Sequence, residues 1–110
     1  MNDVPPLLAV AVMPEHGTEL TVVIRGEVDL ATAAQLADNL MQAIDAHQPQ
    51  HVTLDTEAMT FLDAAGMAAL ISVYQRAKLR HVKIRMEKVQ PSVMRPLRVV
   101  DLVTFLDASE

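Results

Sequence analysis

Residues 51–80 read HVTLDTEAMTFLDAAGMAALISVYQRAKLR, and this stretch decides the fold. From His51 to Asp55 the apolar Val52 and Leu54 alternate with polar neighbours, which is the two-residue period of a strand. Beyond Asp63 the apolar positions Met67, Leu70, Ile71 and Tyr74 recur at steps of three and four, so the spacing predicts a helix running to about Arg80. Asp63, immediately before that run, is placed to cap its first turn. A strand, a loop carrying Thr56 and Thr60, and a helix in direct succession form half of a βαβ unit.

Working outward, the same alternation of periods appears on both sides. Upstream, Ala33, Leu36, Ala37, Leu40, Met41 and Ile44 form an amphipathic helix that stops before Pro49, with Asp29 or Thr32 at its start. Before it, Leu7 to Met13 and Leu20 to Arg25 flank Pro14-Glu15-His16-Gly17 and read as a hairpin ended by Gly26. Downstream, His81 to Glu87 is a fourth strand. Pro91-Ser92 opens a short helix carrying Val93, Leu97 and Val100, which Pro96 must either kink or delay, and Val103 to Leu106 is a closing strand. The whole is an α/β chain whose sheet is expected to be largely parallel with right-handed crossovers. Thr21 and Arg25, Thr53 and Asp55, and Lys83 and Arg85 fall on one side of their strands, so one face is expected to be wet and the helices to pack on the other.

Composition removes several function classes. The 110 residues are 51% hydrophobic, but Tyr74, Phe61 and Phe105 are the only aromatics, which leaves little to stack on nucleic-acid bases. The absence of cysteine excludes disulfides, thiolate metal sites and thiol catalysis. No apolar run approaches the roughly 20 residues of a membrane span, and Met1-Asn2-Asp3-Val4-Pro5-Pro6 has no basic leader, so neither export nor membrane insertion is expected and the cytoplasm is the natural compartment. The net charge of −5 divides unevenly, with −9 on residues 1–75 and +4 on residues 76–110. The basic stretch Arg76 to Lys88 is read as the solvated face of a strand rather than a nucleic-acid site, because Lys83 and Arg85 alternate with Val82, Ile84 and Met86.

Three carboxylates, Glu27, Asp29 and Asp63, fall at strand ends and helix starts, the edge of an open sheet where ligands usually bind. They suit an acidic recognition patch, a Mg²⁺ site or acid-base work, in that order, since Ser72, Ser92 and Ser109 lie elsewhere and no nucleophile accompanies them. Asp63 is first a helix cap. Ala64, Ala65 and Gly66 serve equally as a surface for close approach or as helix-to-sheet packing. Met59 and Met67 flank the same place and can pack adaptably on a partner. His47 and His51 have the spacing of metal ligands, but Pro49 breaks the helix that would align them. With only Gly17, Gly26 and Gly66, no phosphate cradle is possible. Neither a metal nor another cofactor is expected, and no catalytic residue is assigned.

Ile24-Arg25-Gly26-Glu27-Val28-Asp29, then Phe61-Leu62-Asp63-Ala64-Ala65-Gly66-Met67, then Val89-Gln90-Pro91-Ser92-Val93 through Leu97 to Phe105 resemble, in that order, the STAS domain family and its anti-sigma factor antagonists. The resemblance spans about residues 7–107 of a single domain occupying residues 1–110. It implies a STAS-like β/α superhelix, a mixed and mostly parallel sheet of about five strands with helices mainly on one face. It implies a binding protein rather than an enzyme, a monomer or weak dimer that captures an anti-sigma factor of the serine-kinase type and so frees a sigma factor. The implied contact residues are Gly26, Glu27, Asp29, Thr60, Asp63, Ala64, Ala65, Gly66 and Met67. In that family a serine at the start of the second helix is phosphorylated by the partner, which breaks the complex. Here Ala65, or Ala64, stands at that position, so the switch has no hydroxyl to act on. The resemblance is thus compatible with a constitutive antagonist, an engineered locked form, or an adaptor subunit of a transport or stress-sensing assembly. Thr56 and Thr60 are nearby hydroxyls, commonly mere turn formers.

Overall fold

A computed structural model describes residues 7–14 and 16–110; Glu15 of the expected turn and the leader-free reading of residues 1–6 lie outside the described residues. The elements run β1 (Leu8–Pro14), β2 (Glu19–Val28), α1 (Ala33–His47), β3 (His51–Leu62), α2 (Ala64–Leu79), β4 (Lys83–Glu87) and α3 (Pro91–Val99). The strands lie in the order β1-β2-β3-β4. The β1–β2 pair is the expected antiparallel hairpin, and β2, β3 and β4 are parallel.

Alternate residues along the regular stretches of β2, β3 and β4 enter one hydrophobic cluster with the helices. Leu20, Val22 and Ile24 of β2, Val52 and Leu54 of β3, and Ile84 and Met86 of β4 meet Leu36, Leu40 and Ile44 of α1, Leu70, Val73 and Ala77 of α2, and Leu97 of α3. The intervening positions form the wet face, where charges find neighbours. Arg85 Nε contacts the Thr53 hydroxyl at 3.2 Å and Glu87 at 3.0 Å, and Lys88 reaches Asp55 at 3.4 Å.

The structure corrects four boundaries. Strand β3 runs seven residues past Asp55, so Thr56 and Thr60 are on a strand and not in a loop. Thr56 is fully buried, its hydroxyl donating to the Glu87 carbonyl at 2.9 Å. The expected fifth strand at Val103–Leu106 is a series of turns, and only Met86 and Ala108 form a bridge, so the sheet has four strands among the described residues. That tail is held by Tyr74 instead, whose buried hydroxyl donates to the Leu106 carbonyl at 2.6 Å. Helix α3 does not start late; it runs from Pro91 through Pro96 to Val99, and Pro96 has no amide to donate to the Ser92 carbonyl. At the start of α1, neither Asp29 nor Thr32 caps as expected. Thr32 is the N-cap but makes no side-chain cap bond, and the Asp29 carboxylate accepts the Ala31 and Thr32 amides at 2.9 and 3.1 Å, just before the helix begins.

Candidate functional site at the strand ends of β2 and β3

The candidate residues meet where β2 and β3 end side by side. Val28 pairs with Leu62, and the Asp63 amide then donates to the Val28 carbonyl at 3.1 Å, sealing the two ends together. The register arrives there through two shifts, between Val23 and Arg25 and between Gly26 and Glu27 of β2, with β3 using one residue more than β2 at each. Thr60 is the extra residue of the second shift; it is exposed, and its hydroxyl donates to the Gly26 carbonyl at 3.3 Å. Bulges of this kind bend a strand end and re-aim its side chains. Here they carry Met59 into the core and then return Leu62 to it, which leaves Phe61 outward, opposite Glu27.

Gly26 and Gly66 fix the backbones. Gly26 has φ +102°, and a Cβ on it would lie 2.1 Å from the Leu7 carbonyl oxygen. No other residue type fits where the strand turns toward its end. Gly66, three residues after the cap, is buried, and its missing Cβ is what lets α2 sit on the Val28 carbonyl. Both glycines shape the site from beneath, Gly66 through its packing on Leu62 and Val28.

The surface above them is built by the other residues. The Asp63 carboxylate accepts the Gly66 amide at 2.9 Å, as a cap should, and this places Ala64 exposed and Ala65 and Met67 half-buried on the first turn. On the neighbouring loop the Thr32 hydroxyl donates to the Glu27 carbonyl at 2.8 Å and accepts the Asp29 amide at 3.0 Å, locking the turn between β2 and α1. That turn presents Leu30, 83% exposed, while Phe61 on the adjacent strand end is 47% exposed. Sequence reading missed Leu30 and took Phe61 only as part of the matched motif. Leu30 falls between the two polar turn residues and off the apolar stripe of α1, which is the signal it carried, whereas Phe61 keeps the outward parity of Thr53 and Asp55.

Electrostatics gives this edge one sign. Glu27 is exposed, and Glu27, Asp29 and Asp63 enter no ion pair among the described residues. The apolar Leu30, Phe61, Ala64 and Met67 thus share this strand-end edge with three carboxylates. No three His, Asp or Glu side chains group to hold a metal ion among the described residues. An open cleft of about 760 Å³ lies at the opposite edge beside Asp45, His51, Arg80 and Lys83. There Arg80 pairs with Asp45, and His51 pairs with Glu19.

A four-stranded mixed sheet with helices on one face and an edge of apolar and acidic side chains at its strand ends defines a small α/β module built around a surface rather than a cavity. The STAS domain family model matches residues 10–109, and the chain belongs to that family. It is 26% identical over 94 residues to an anti-sigma F factor antagonist of Paenibacillus polymyxa, covering 86% of this chain and 80% of that protein. Among solved structures, an anti-sigma factor antagonist from Mycobacterium paratuberculosis superposes with a TM-score of 0.77 at 22% identity, covering 92% of this chain and 84% of that one. The unphosphorylated anti-sigma factor antagonist SpoIIAA superposes at 0.75 and 14%, with 93% and 89% covered. No helix among the described residues is long and apolar enough to cross a membrane.

Proposed function

We propose that this chain is an anti-sigma factor antagonist that binds, without catalysis, an anti-sigma factor of the serine-kinase type in the cytoplasm and thereby frees a sigma factor. The observation that carries the reading is the edge at the start of α2: Ala64, Ala65 and Met67 share it with Leu30 and Phe61 and with Glu27, Asp29, Asp63 and Thr60. Small side chains allow close approach, exposed apolar side chains supply the buried centre, and unpaired carboxylates steer a basic partner surface. Similarity to antagonists over most of the chain supports the same reading.

Binding in this chain is constitutive at α2, since neither Ala64 nor Ala65 can take a phosphate. A phosphate would add about −1.5 to −2 charges beside three carboxylates, the kind of change that separates an apolar interface. Capture from extract of the source cell, with wild type and Ala65→Glu as baits, tests this. The expected result is a serine-kinase-type anti-sigma factor retained by wild type and lost with Ala65→Glu, while Ala65→Ser restores phosphorylation by that kinase. Equal retention by Ala65→Glu rejects the site, and failure of wild type to retain any such protein rejects the function.

A further inference from the structure

Strand β1 ends the sheet, and no described strand pairs with its outer edge. Which backbone groups face outward follows from the register. The Glu27 amide donates to the Leu7 carbonyl at 2.9 Å. In an antiparallel ladder the hydrogen-bonded positions recur every second residue, so Ala9, Ala11 and Met13 also direct their groups to β2. Leu8, Val10, Val12 and Pro14 direct theirs away from it. Two of these outward groups are out of play: the Leu8 carbonyl accepts from Gln35 Nε2 of α1 at 3.4 Å, and Pro14 has no N–H. Apart from Pro14, the usual protections of an edge are missing among the described residues. Leu8–Pro14 carries no charge and its register has no bulge, while Ala11, Val12 and Met13 are exposed.

We infer that β1 is a self-association edge, at which two copies of this chain pair antiparallel about a two-fold axis at Ala11 and continue one sheet across a dimer. With Ala11 opposite Ala11 of the second copy, Val10 faces Val12 of that copy and exchanges both N–H···O bonds with it. Leu8 then faces Pro14 of the second copy. There the Leu8 amide donates to the Pro14 carbonyl, and the bond that Pro14 cannot donate is the one that the Leu8 carbonyl, held by Gln35, does not need. The missing donor and the satisfied acceptor lie on the same strand, each three residues from Ala11. A second copy of the chain presents that complement in that register. The side chains agree: Val10 and Val12 of both copies meet on the helix-covered face, Met13 lies opposite Ala9 on the other, and no charge is buried. A single-strand edge buries less than a standard interface of about 1,200–2,000 Å², so the dimer is weak and depends on concentration. None of these residues belongs to the partner-binding patch, and the dimer stands or falls independently of it.

Sedimentation equilibrium of the full chain from about 1 µM to about 1 mM tests the dimer. Ala11 is exposed, and its non-hydrogen-bonded pair brings the two Cα atoms to about 4.5 Å. Ala11→Glu and Ala11→Lys should each weaken association at least tenfold, and an equimolar mixture of the two should recover it, with circular dichroism confirming that each is folded. Val12→Pro removes an outward donor without touching a bond to β2 and should weaken association alike. A wild type that stays monomeric to 1 mM overturns the inference, as does undiminished dimerisation of the single variants. A mixture that fails to recover association overturns the register.

Discussion

Replacing Gly66 by alanine tests how closely α2 is seated at the site. An ideal Cβ there would lie 2.6 Å from Leu62 Cδ1, 2.7 Å from Val28 Cγ1 and 2.8 Å from the Val28 carbonyl oxygen. The Leu62 side chain can rotate away. The Val28 carbonyl cannot, because it accepts the Asp63 amide that joins the strand end to the helix start. Overpacking of this kind costs about 1–3 kcal/mol, and the clash with backbone belongs at the upper end. Alanine regains at most about 1 kcal/mol of helix propensity over glycine. The net expectation is a loss of about 1–2 kcal/mol, read as a fall of about 0.5–1 M in the urea midpoint at unchanged slope. Ala64→Gly, on the exposed neighbour, is the control and should cost no more than about 1 kcal/mol. If Gly66→Ala is as stable as wild type or more so, α2 does not rest on Val28 as described, and the placement of Ala64 and Ala65 loses its support.

Tyr74 should make the fold sensitive to alkali. Burial, reinforced by the Asp107 carboxylate, pushes its hydroxyl well above the ordinary tyrosine range. Because the folded state holds the proton more tightly, this contribution is complete below the unfolded value of about 10 and declines as pH rises beyond it. Tyr74 is the only tyrosine, so its near-ultraviolet ionisation should coincide with unfolding, whereas Tyr74→Phe should lose about 1–3 kcal/mol at neutral pH and show a flatter alkaline limb. A phenolate signal that precedes unfolding would contradict its burial. At the patch, Leu30→Ser and Phe61→Ser should each leave the melting curve nearly unchanged while weakening anti-sigma factor binding tenfold or more in a titration, as expected for the apolar centre of an interface. Unchanged affinity in both would move the contact elsewhere.

The periods of two and 3.6 along residues 20–87 were enough to determine most of the elements, their alternation and the wet face, because those patterns follow from which side chains must leave water. The Asp63 cap was equally legible, since a carboxylate before an apolar helical run has one obvious use. Tertiary structure decided what no local pattern encodes. Strand β3 continues past β4 because β2 is there to pair with it, and its two register shifts, not its composition, carry Met59 into the core. The Val103–Leu106 segment has the apolar character of a strand but finds only Met86 as a bridge partner, so Tyr74 and the turns hold it instead. Gly66 was ambiguous in sequence because a missing side chain suits a partner outside as well as a strand beneath, and only the fold brings the Val28 carbonyl against it. Local periodicity reports the cost of exposing a side chain; which neighbour covers it is a property of the assembled chain.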